Sequence, residues 1–159
     1  MMALPIGYAA HTLAPADLDQ VYAVYAADEL ANAGELSIER ADLEADWARP
    51  SFDLAADAIA ITAADRIVAA AEVARHGNRA EAAVHPDHHA RGLGRWLERW
   101  LAVRAGQQGA TSMAQIAAQG STKDRFLIDS GYELAHTSWV LQLPTGAAIP
   151  ERALPAGYA

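Results

Sequence analysis

Ala82-Ala83-Val84-His85-Pro86-Asp87-His88-His89-Ala90-Arg91-Gly92-Leu93-Gly94-Arg95-Trp96-Leu97 is the most informative stretch of this chain. It reads as the end of a strand, a loop with two glycines and the start of a helix. A helix N-terminus exposes unpaired backbone N–H groups and the positive end of its dipole. Gly92 and Gly94 let that backbone approach an oxygen-rich ligand without side-chain clash. Arg91 and Arg95 add charge at the same end. The expected ligand is a pyrophosphate or a similar anion. Two nucleotide-binding patterns do not fit. The dinucleotide fingerprint wants three glycines after the first strand of a parallel sheet. Here the strand closes an antiparallel meander, and the third glycine is missing. A Walker loop ends in Gly-Lys-Ser/Thr, and the single lysine, Lys123, is elsewhere.

Upstream, the period is two. Residues 57–62 alternate like a strand, Ala64-Asp65 forms a tight turn, and 67–74 reads as a second strand. His76-Gly77-Asn78-Arg79 is a hairpin signal, because glycine and asparagine tolerate positive φ. Residues 80–84 follow as the third strand. Further upstream the period is helical. Ala14-Pro15-Ala16-Asp17 starts a helix on which Leu18, Val21, Tyr22, Tyr25 and Leu30 recur, and Asn32-Ala33-Gly34 stops it. Ser37 and Arg40, with Leu43 and Trp47, predict a second helix ending before Pro50. Residues 6–12 are a short candidate strand.

Downstream, Leu93, Trp96, Leu97, Trp100 and Leu101 form the apolar stripe of a helix over 93–107. Residues 112–117 read as a strand. Ser121 caps a short helix through Ile128, which Ser130-Gly131 ends. Residues 132–143 read as one long strand or a bent pair. The tail from Pro144 reads as linker. Leu4-Pro5-Ile6-Gly7-Tyr8-Ala9 returns as Leu154-Pro155-Ala156-Gly157-Tyr158-Ala159, so the tail is also where a second copy of the domain would begin.

The 159 residues match one domain with a real core. The hydrophobic fraction of 52% is inflated by 39 alanines, so the large apolar content is ordinary. A net charge of −8 disfavours broad nucleic-acid binding, which needs a basic face. The absence of cysteine removes disulfides and thiol nucleophiles. No apolar run reaches the roughly 18 residues of a membrane span, and the start lacks a signal-peptide pattern. The expected protein is cytoplasmic, with no membrane and no nucleic-acid partner.

Val84-His85-Pro86 followed by His89-Ala90-Arg91-Gly92-Leu93-Gly94 resembles the acetyl-CoA loop of the GNAT acetyltransferase superfamily, whose pattern is Gln/Arg-x-x-Gly-x-Gly/Ala after a strand ending in Val-x-Pro. The element order over about residues 6–143 is similar too. The resemblance implies an α+β fold, an α/β sandwich whose mixed, mostly antiparallel sheet has six to seven strands with about four helices. It implies a domain over 1–143, and 144–159 as linker or the start of a second repeat. It implies acetyl-CoA as co-substrate, with the pyrophosphate held by the backbone of His89, Ala90, Arg91, Gly92, Leu93 and Gly94, and Arg91 and Arg95 beside the phosphates. Ala82, Ala83 and Val84 would lie on a strand that splays from 112–117, so that pantetheine adds as an extra strand, its thioester carbonyl near the Val84 amide.

An amine must lose a proton before it attacks a thioester, and the resemblance implies a base on the central strands, where Glu72 and Glu81 lie. Alternation puts Glu81 with Ala83 and Glu72 with Ala70 and Ala74, without saying which face meets the cleft. They also read as cross-strand partners of Arg79 or Arg75. The chain departs from the family pattern at three places. His89 stands where arginine or glutamine is usual, Gly120 near a frequent asparagine, and Leu127 at the frequent general-acid tyrosine. His85, His88 and His89 with Asp87 are better read as a polar loop than as a metal site, since Pro86 breaks the helical spacing. Asp28 and Glu29 either attract a cationic amine or form a plain exposed helix end. Two functions follow: an N-acetyltransferase moving acetyl directly to a small-molecule or peptide amine, or a catalytically weak acyl-CoA-binding domain beside a partner domain. The final strands would pair across a homodimer or pack on a tandem second domain.

Overall fold

The period-two segment folds into three antiparallel strands, with a short fourth strand on the outside. In chain order these are β1 (Ala9–His11), β2 (Ala58–Ala63), β3 (Arg66–Ala74) and β4 (Arg79–Val84). They lie side by side in that order. The helices are α1 (Leu18–Ala33), α2 (Arg40–Trp47), α3 (Leu54–Asp57), α4 (Leu93–Gln107) and α5 (Thr122–Asp129). This computed structural model describes residues 3–74, 76–153 and 155–157. Arg75, and Leu154, Tyr158 and Ala159 of the terminal repeat, lie outside the described residues. Among the described residues no helix is long and apolar enough to cross a membrane.

Alanine decides how the layers meet. Ala58, Ala60, Ala70 and Ala83 face α1 and α2, where Val21, Val24, Tyr25 and Leu43 fill the space above them. Ala69, Ala71 and Ala80, with Ile61 and Val73, face α4 and its Leu93, Trp96, Leu97 and Leu101. A strand of small residues lets helices sit close, so the bulk of the core comes from the helices. β3 is buried on both faces over Ile67 to Val73. The Trp96 side chain belongs to this core, and Trp100 packs against it.

Both hairpin turns depend on left-handed backbone. Ala64 and Asp65 have φ of 47° and 61°, and His76 and Gly77 have 55° and 87°. Positive φ at both central residues matches the right-handed twist of the flanking strands. At Gly77 the glycine is also required by space, since a Cβ would lie 2.6 Å from the Ala110 Cβ and 2.8 Å from the Ala105 carbonyl oxygen. Gly77→Ala is therefore expected to lower stability by about 2 kcal/mol or more in chemical denaturation. A midpoint equal to that of the unaltered chain would refute this packing.

The sheet has four strands, where six to seven were expected. Residues 112–117 touch the sheet at one parallel bridge, Arg79 with Ala114, and then diverge from β4. Residues 132–143 form no strand, and Leu134, Trp139, Val140, Leu141 and Leu143 are exposed. An alternating pattern marks two faces, but a strand also needs a neighbouring edge for its N–H and C=O groups, and none lies beside this segment. The first strand is three residues long rather than seven. Among the described residues there are five α-helices rather than about four. The extra one, α3, is a single turn whose N-cap Asp53 accepts from the Ala55 and Ala56 N–H groups. The remaining boundaries lie close to those expected, with α4 over Leu93–Gln107 and Ser121 capping α5 through the Asp124 N–H.

Candidate functional site

The loop after β4 is built to leave backbone donors free. His85 Nδ1 accepts from the Asp87 N–H, which closes the turn Pro86–His88. Ala90 and Gly92 then take positive φ, 57° and 83°, and bend the chain into α4. Gly92 is the N-cap of α4, and no side chain caps this helix. The first intrahelical bond runs from the Trp96 N–H to the Gly92 carbonyl at 3.1 Å. The N–H groups of Leu93, Gly94 and Arg95 thus have no partner within the helix. Arg91 is exposed, and its Nη1 donates to the Tyr8 hydroxyl at 3.1 Å, which also meets His88 Nδ1 at 2.9 Å. Partial burial, then Arg91, holds His88 below its ordinary pKa. The two motif glycines do different work. Gly92 supplies a left-handed residue, whereas a Cβ at Gly94 would come within 3.3 Å of the Phe126 ring, so Gly94 lets α5 pack on α4.

β4 carries an open edge into this loop. The His85 N–H donates to the Val68 carbonyl on β3 at 2.9 Å. Backbone direction alternates along a strand, so Ala83 and Glu81 face β3, and Ala80, Ala82 and Val84 face outward. The outward Ala80 N–H bonds the Ala114 carbonyl at 2.9 Å. Beyond that bridge no strand lies beside β4 among the described residues. At Val84 the carbonyl is met by a side chain instead: His89 Nε2 lies 2.8 Å from it, with the Asp28 carboxylate 3.7 Å from the same nitrogen.

The face toward α1 and α2 is acidic. Glu72 and Glu81 are direct cross-strand partners, and both point to this face, with Ala58, Ala70 and Ala83. Opposed like charges disfavour a sheet, so the pair is costly to keep. Glu72 is 9% exposed, and Trp47 Nε1 donates to its Oε2 at 3.2 Å. Burial, then the Glu81 charge, pushes the Glu72 carboxyl up to about 7. Glu81 keeps contact with solvent and stands 3.6 Å from Arg79 Nη2. Above them the buried Tyr25 hydroxyl has no hydrogen-bond partner. Burial, then the charges of Glu72, Glu81 and Asp28, raises its pKa well above the ordinary value. A small cleft lined by Asp46, Arg49, Glu72, Arg79 and Glu81 opens here.

The structure thus brings the expected residues into two groups. Ala90, Arg91, Gly92, Leu93, Gly94 and Arg95 form the donor loop, with the Leu93 side chain in the core, whereas the His89 N–H is already given to the Pro86 carbonyl at 3.1 Å. Glu72 and Glu81 form the acidic face, and Ala82 and Val84 form the edge between the groups. Ala83 turns its backbone to β3 and buries its side chain. Asp28 is not a plain exposed helix end; its side chain is 13% exposed and lies 3.7 Å from His89 Nε2, while Glu29 holds the Ser37 and Ile38 N–H groups. Leu127 is buried in the helix core and offers no acid, and Gly120 donates its N–H to Asp124 Oδ2. Tyr25 is the residue whose orphaned hydroxyl sequence reading missed. Helical spacing marked it as interior, but nothing local shows that its hydroxyl is buried without a hydrogen-bond partner among the described residues.

No protein-family model matches the chain, and no curated protein sequence matches it. Solved structures do. A GCN5-related N-acetyltransferase from Sphaerobacter thermophilus aligns with a TM-score of 0.68 and 24% identity over 82% of this chain, which spans 45% of that chain's length. The ribosomal-protein-S18-alanine N-acetyltransferase of Escherichia coli aligns with a TM-score of 0.60 and 18% identity, over 81% of this chain and 79% of the other. A GNAT family acetyltransferase from Brucella melitensis, in complex with acetyl-CoA, aligns with a TM-score of 0.61 and 16% identity, over 79% and 82%. The likeness shows a shared fold: the chain has the GNAT fold.

Proposed function

We propose that this chain is an acetyl-CoA-dependent N-acetyltransferase that moves the acetyl group directly to an amine in a ternary complex. One observation carries the reading: the outer edge of β4, which no strand pairs beyond the Arg79–Ala114 bridge among the described residues, runs into the uncapped N-terminus of α4. An extended amide-bearing arm ending in a pyrophosphate needs that pair of features, a strand edge followed by clustered N–H donors. The acetyl-CoA bound to the Brucella structure of the same fold supports this choice of co-substrate.

In this reading the backbone of residues 90–94, with the side chains of Arg91 and Arg95, takes the pyrophosphate; the His89 N–H is held by the Pro86 carbonyl. The pantetheine arm adds to the edge at Ala82 and Val84, with Ala83 holding that edge to β3. The acceptor, a small-molecule or peptide amine, enters from the acidic face. Glu72, oriented by Trp47 and with its carboxyl pushed up to about 7, takes the proton of the ammonium in its ionised form, and Glu81 attracts the cation. The amine nitrogen attacks the thioester carbonyl carbon; the C–N bond forms, the C–S bond breaks, and the thiolate takes a proton from water. An outward N–H of β4 stabilises the negative charge on the carbonyl oxygen.

A second reading, an acyl-CoA-binding domain of little activity beside a partner domain, is favoured by the buried Leu127 at the usual acid position. Residues 144–159 would then lead into that partner. Thermal unfolding separates both readings from failure. Acetyl-CoA at about a hundred times its Kd is expected to add roughly 2.7 kcal/mol and raise Tm by several degrees. Desulfo-CoA is expected to do the same, and ATP to do little. No shift with either CoA species overturns both readings; a shift without acetyl transfer to any of a panel of amines selects the second.

A further inference from the structure

We infer that Tyr8 is a positioning residue of the donor loop, whose hydroxyl holds the Arg91 guanidinium in one place for an incoming diphosphate. Arg91 Nη1 donates to the Tyr8 hydroxyl oxygen at 3.1 Å, and the same hydroxyl lies 2.9 Å from His88 Nδ1. A guanidinium can only donate, so toward Arg91 the hydroxyl oxygen is the acceptor. Its proton is then left for His88 Nδ1, which accepts it as a neutral ring protonated at Nε2. The three side chains form a directed chain from Arg91 through Tyr8 to His88, in which each donor meets an acceptor. The Tyr8 and His88 rings also meet edge to face, with centroids 5.7 Å apart and planes at 82°. The other groups that bear on His88 are the His85 ring, 6.2 Å away between centroids, and the Asp87 and Arg91 charges.

Tyr8 is brought to the loop by packing and not by sequence neighbourhood. Its N–H donates to the Pro5 carbonyl at 3.2 Å, across a turn in which Gly7 has a φ of 88°. Leu4 and Tyr8 pack against the core beneath α4. Pro5 Cγ lies 3.9 Å from where a Cβ on Gly92 would stand. The first copy of the repeated hexapeptide therefore runs along the N-cap of α4 and carries a hydroxyl to its arginine. An exposed arginine samples many rotamers and loses that freedom when it grips a ligand; an anchored one has less to lose. The anchor uses one N–H of the guanidinium and leaves the others for phosphate oxygens, which a planar fork meets two at a time. This role rests on the reading of residues 90–94 as a pyrophosphate site.

Tyr8→Phe keeps the ring and removes only the hydroxyl. Without ligand, the NMR titration of His88 is expected to move up by about half a pH unit in Tyr8→Phe, because a hydrogen bond that only the neutral ring accepts is lost. Acetyl-CoA and, separately, inorganic pyrophosphate are then titrated calorimetrically into the unaltered chain, Tyr8→Phe, Arg91→Gln and the double variant. Tyr8→Phe is expected to bind each ligand about fivefold more weakly than the unaltered chain, and the double variant to bind like Arg91→Gln alone. An unmoved His88 titration overturns the inference, and so does equal affinity in the unaltered chain and Tyr8→Phe. The same loss from Tyr8→Phe in both backgrounds also overturns it, since that is what a general packing defect produces. If pyrophosphate binds with the expected coupling and no form binds acetyl-CoA at millimolar ligand, the co-substrate reading falls and the role of Tyr8 stands. If no form binds either ligand, both fall.

Discussion

Glu72→Gln is expected to lower kcat for acetyl transfer by about 10²- to 10³-fold, with little change in the KM for acetyl-CoA, because it removes a positioned proton acceptor and nothing on the donor loop. The substitution keeps the oxygen that receives the Trp47 N–H, so the side chain stays in place. The pH dependence has a definite sign. The Glu72 carboxyl is pushed up to about 7 in the folded chain from an ordinary 4.5. Activity that needs the carboxylate therefore rises through about pH 7, and this limb disappears in Glu72→Gln. Between the two values the folded chain binds more protons than the unfolded one, so Glu72 lowers stability as pH rises through that window. The glutamine variant is thus expected to be more stable than the unaltered chain at pH 8, by about 1–2 kcal/mol, and no more stable at pH 4. Lost turnover with gained stability is the signature of a carboxylate kept for chemistry. Unchanged turnover, or a variant less stable at pH 8, would refute the assignment.

Asp57→Ala is expected to cost about 3 kcal/mol of folding stability, a large part of what a domain of this size has. Asp57 is 4% exposed and takes four contacts from three residues. Arg104 donates through Nε at 2.9 Å and through Nη2, Gln108 Nε2 at 2.7 Å, and the Asp53 N–H at 2.9 Å. The carboxylate thereby fastens the start of β2 to the last turn of α4. Arg104 is 24% exposed and can turn toward solvent when its partner is lost, which places the expected cost at the low end of that for a broken buried pair. A thermal midpoint lower by roughly 6–12 °C would register it. The double replacement Asp57→Leu with Arg104→Met is expected to recover most of the loss, since a buried pair replaced by apolar groups leaves no uncompensated charge. A midpoint unchanged in Asp57→Ala would mean that this ion pair holds nothing together.

Neither Glu72 nor Asp57 was equally legible. Glu72 was singled out from its place on a central strand, but period two gives two faces without saying which one a helix covers. The choice came from α1 and α2, which pack over Ala58, Ala70 and Ala83 and so enclose Glu72 and Glu81 with them. Asp57 carried no signal, because its partners are 47 and 51 residues away. Asp28 is similar: its position on a helix was readable, its approach to within 3.7 Å of His89 Nε2 was not.

The sequence by itself determined the elements that local physics controls. The apolar stripe of α4, the proline start and Gly34 stop of α1, the Ser121 cap of α5 and the two left-handed hairpin turns all act within a few residues, and each formed near its expected place. The donor loop was readable for the same reason, since a glycine-bearing turn into a helix is a local object. Tertiary structure alone decided which strand edges found partners. Residues 112–117 and 132–143 have strand-like patterns, yet one is fixed by a single bridge and the other by none. A strand is completed by a neighbour distant in sequence, and the alternation along one segment holds no record of whether that neighbour arrives.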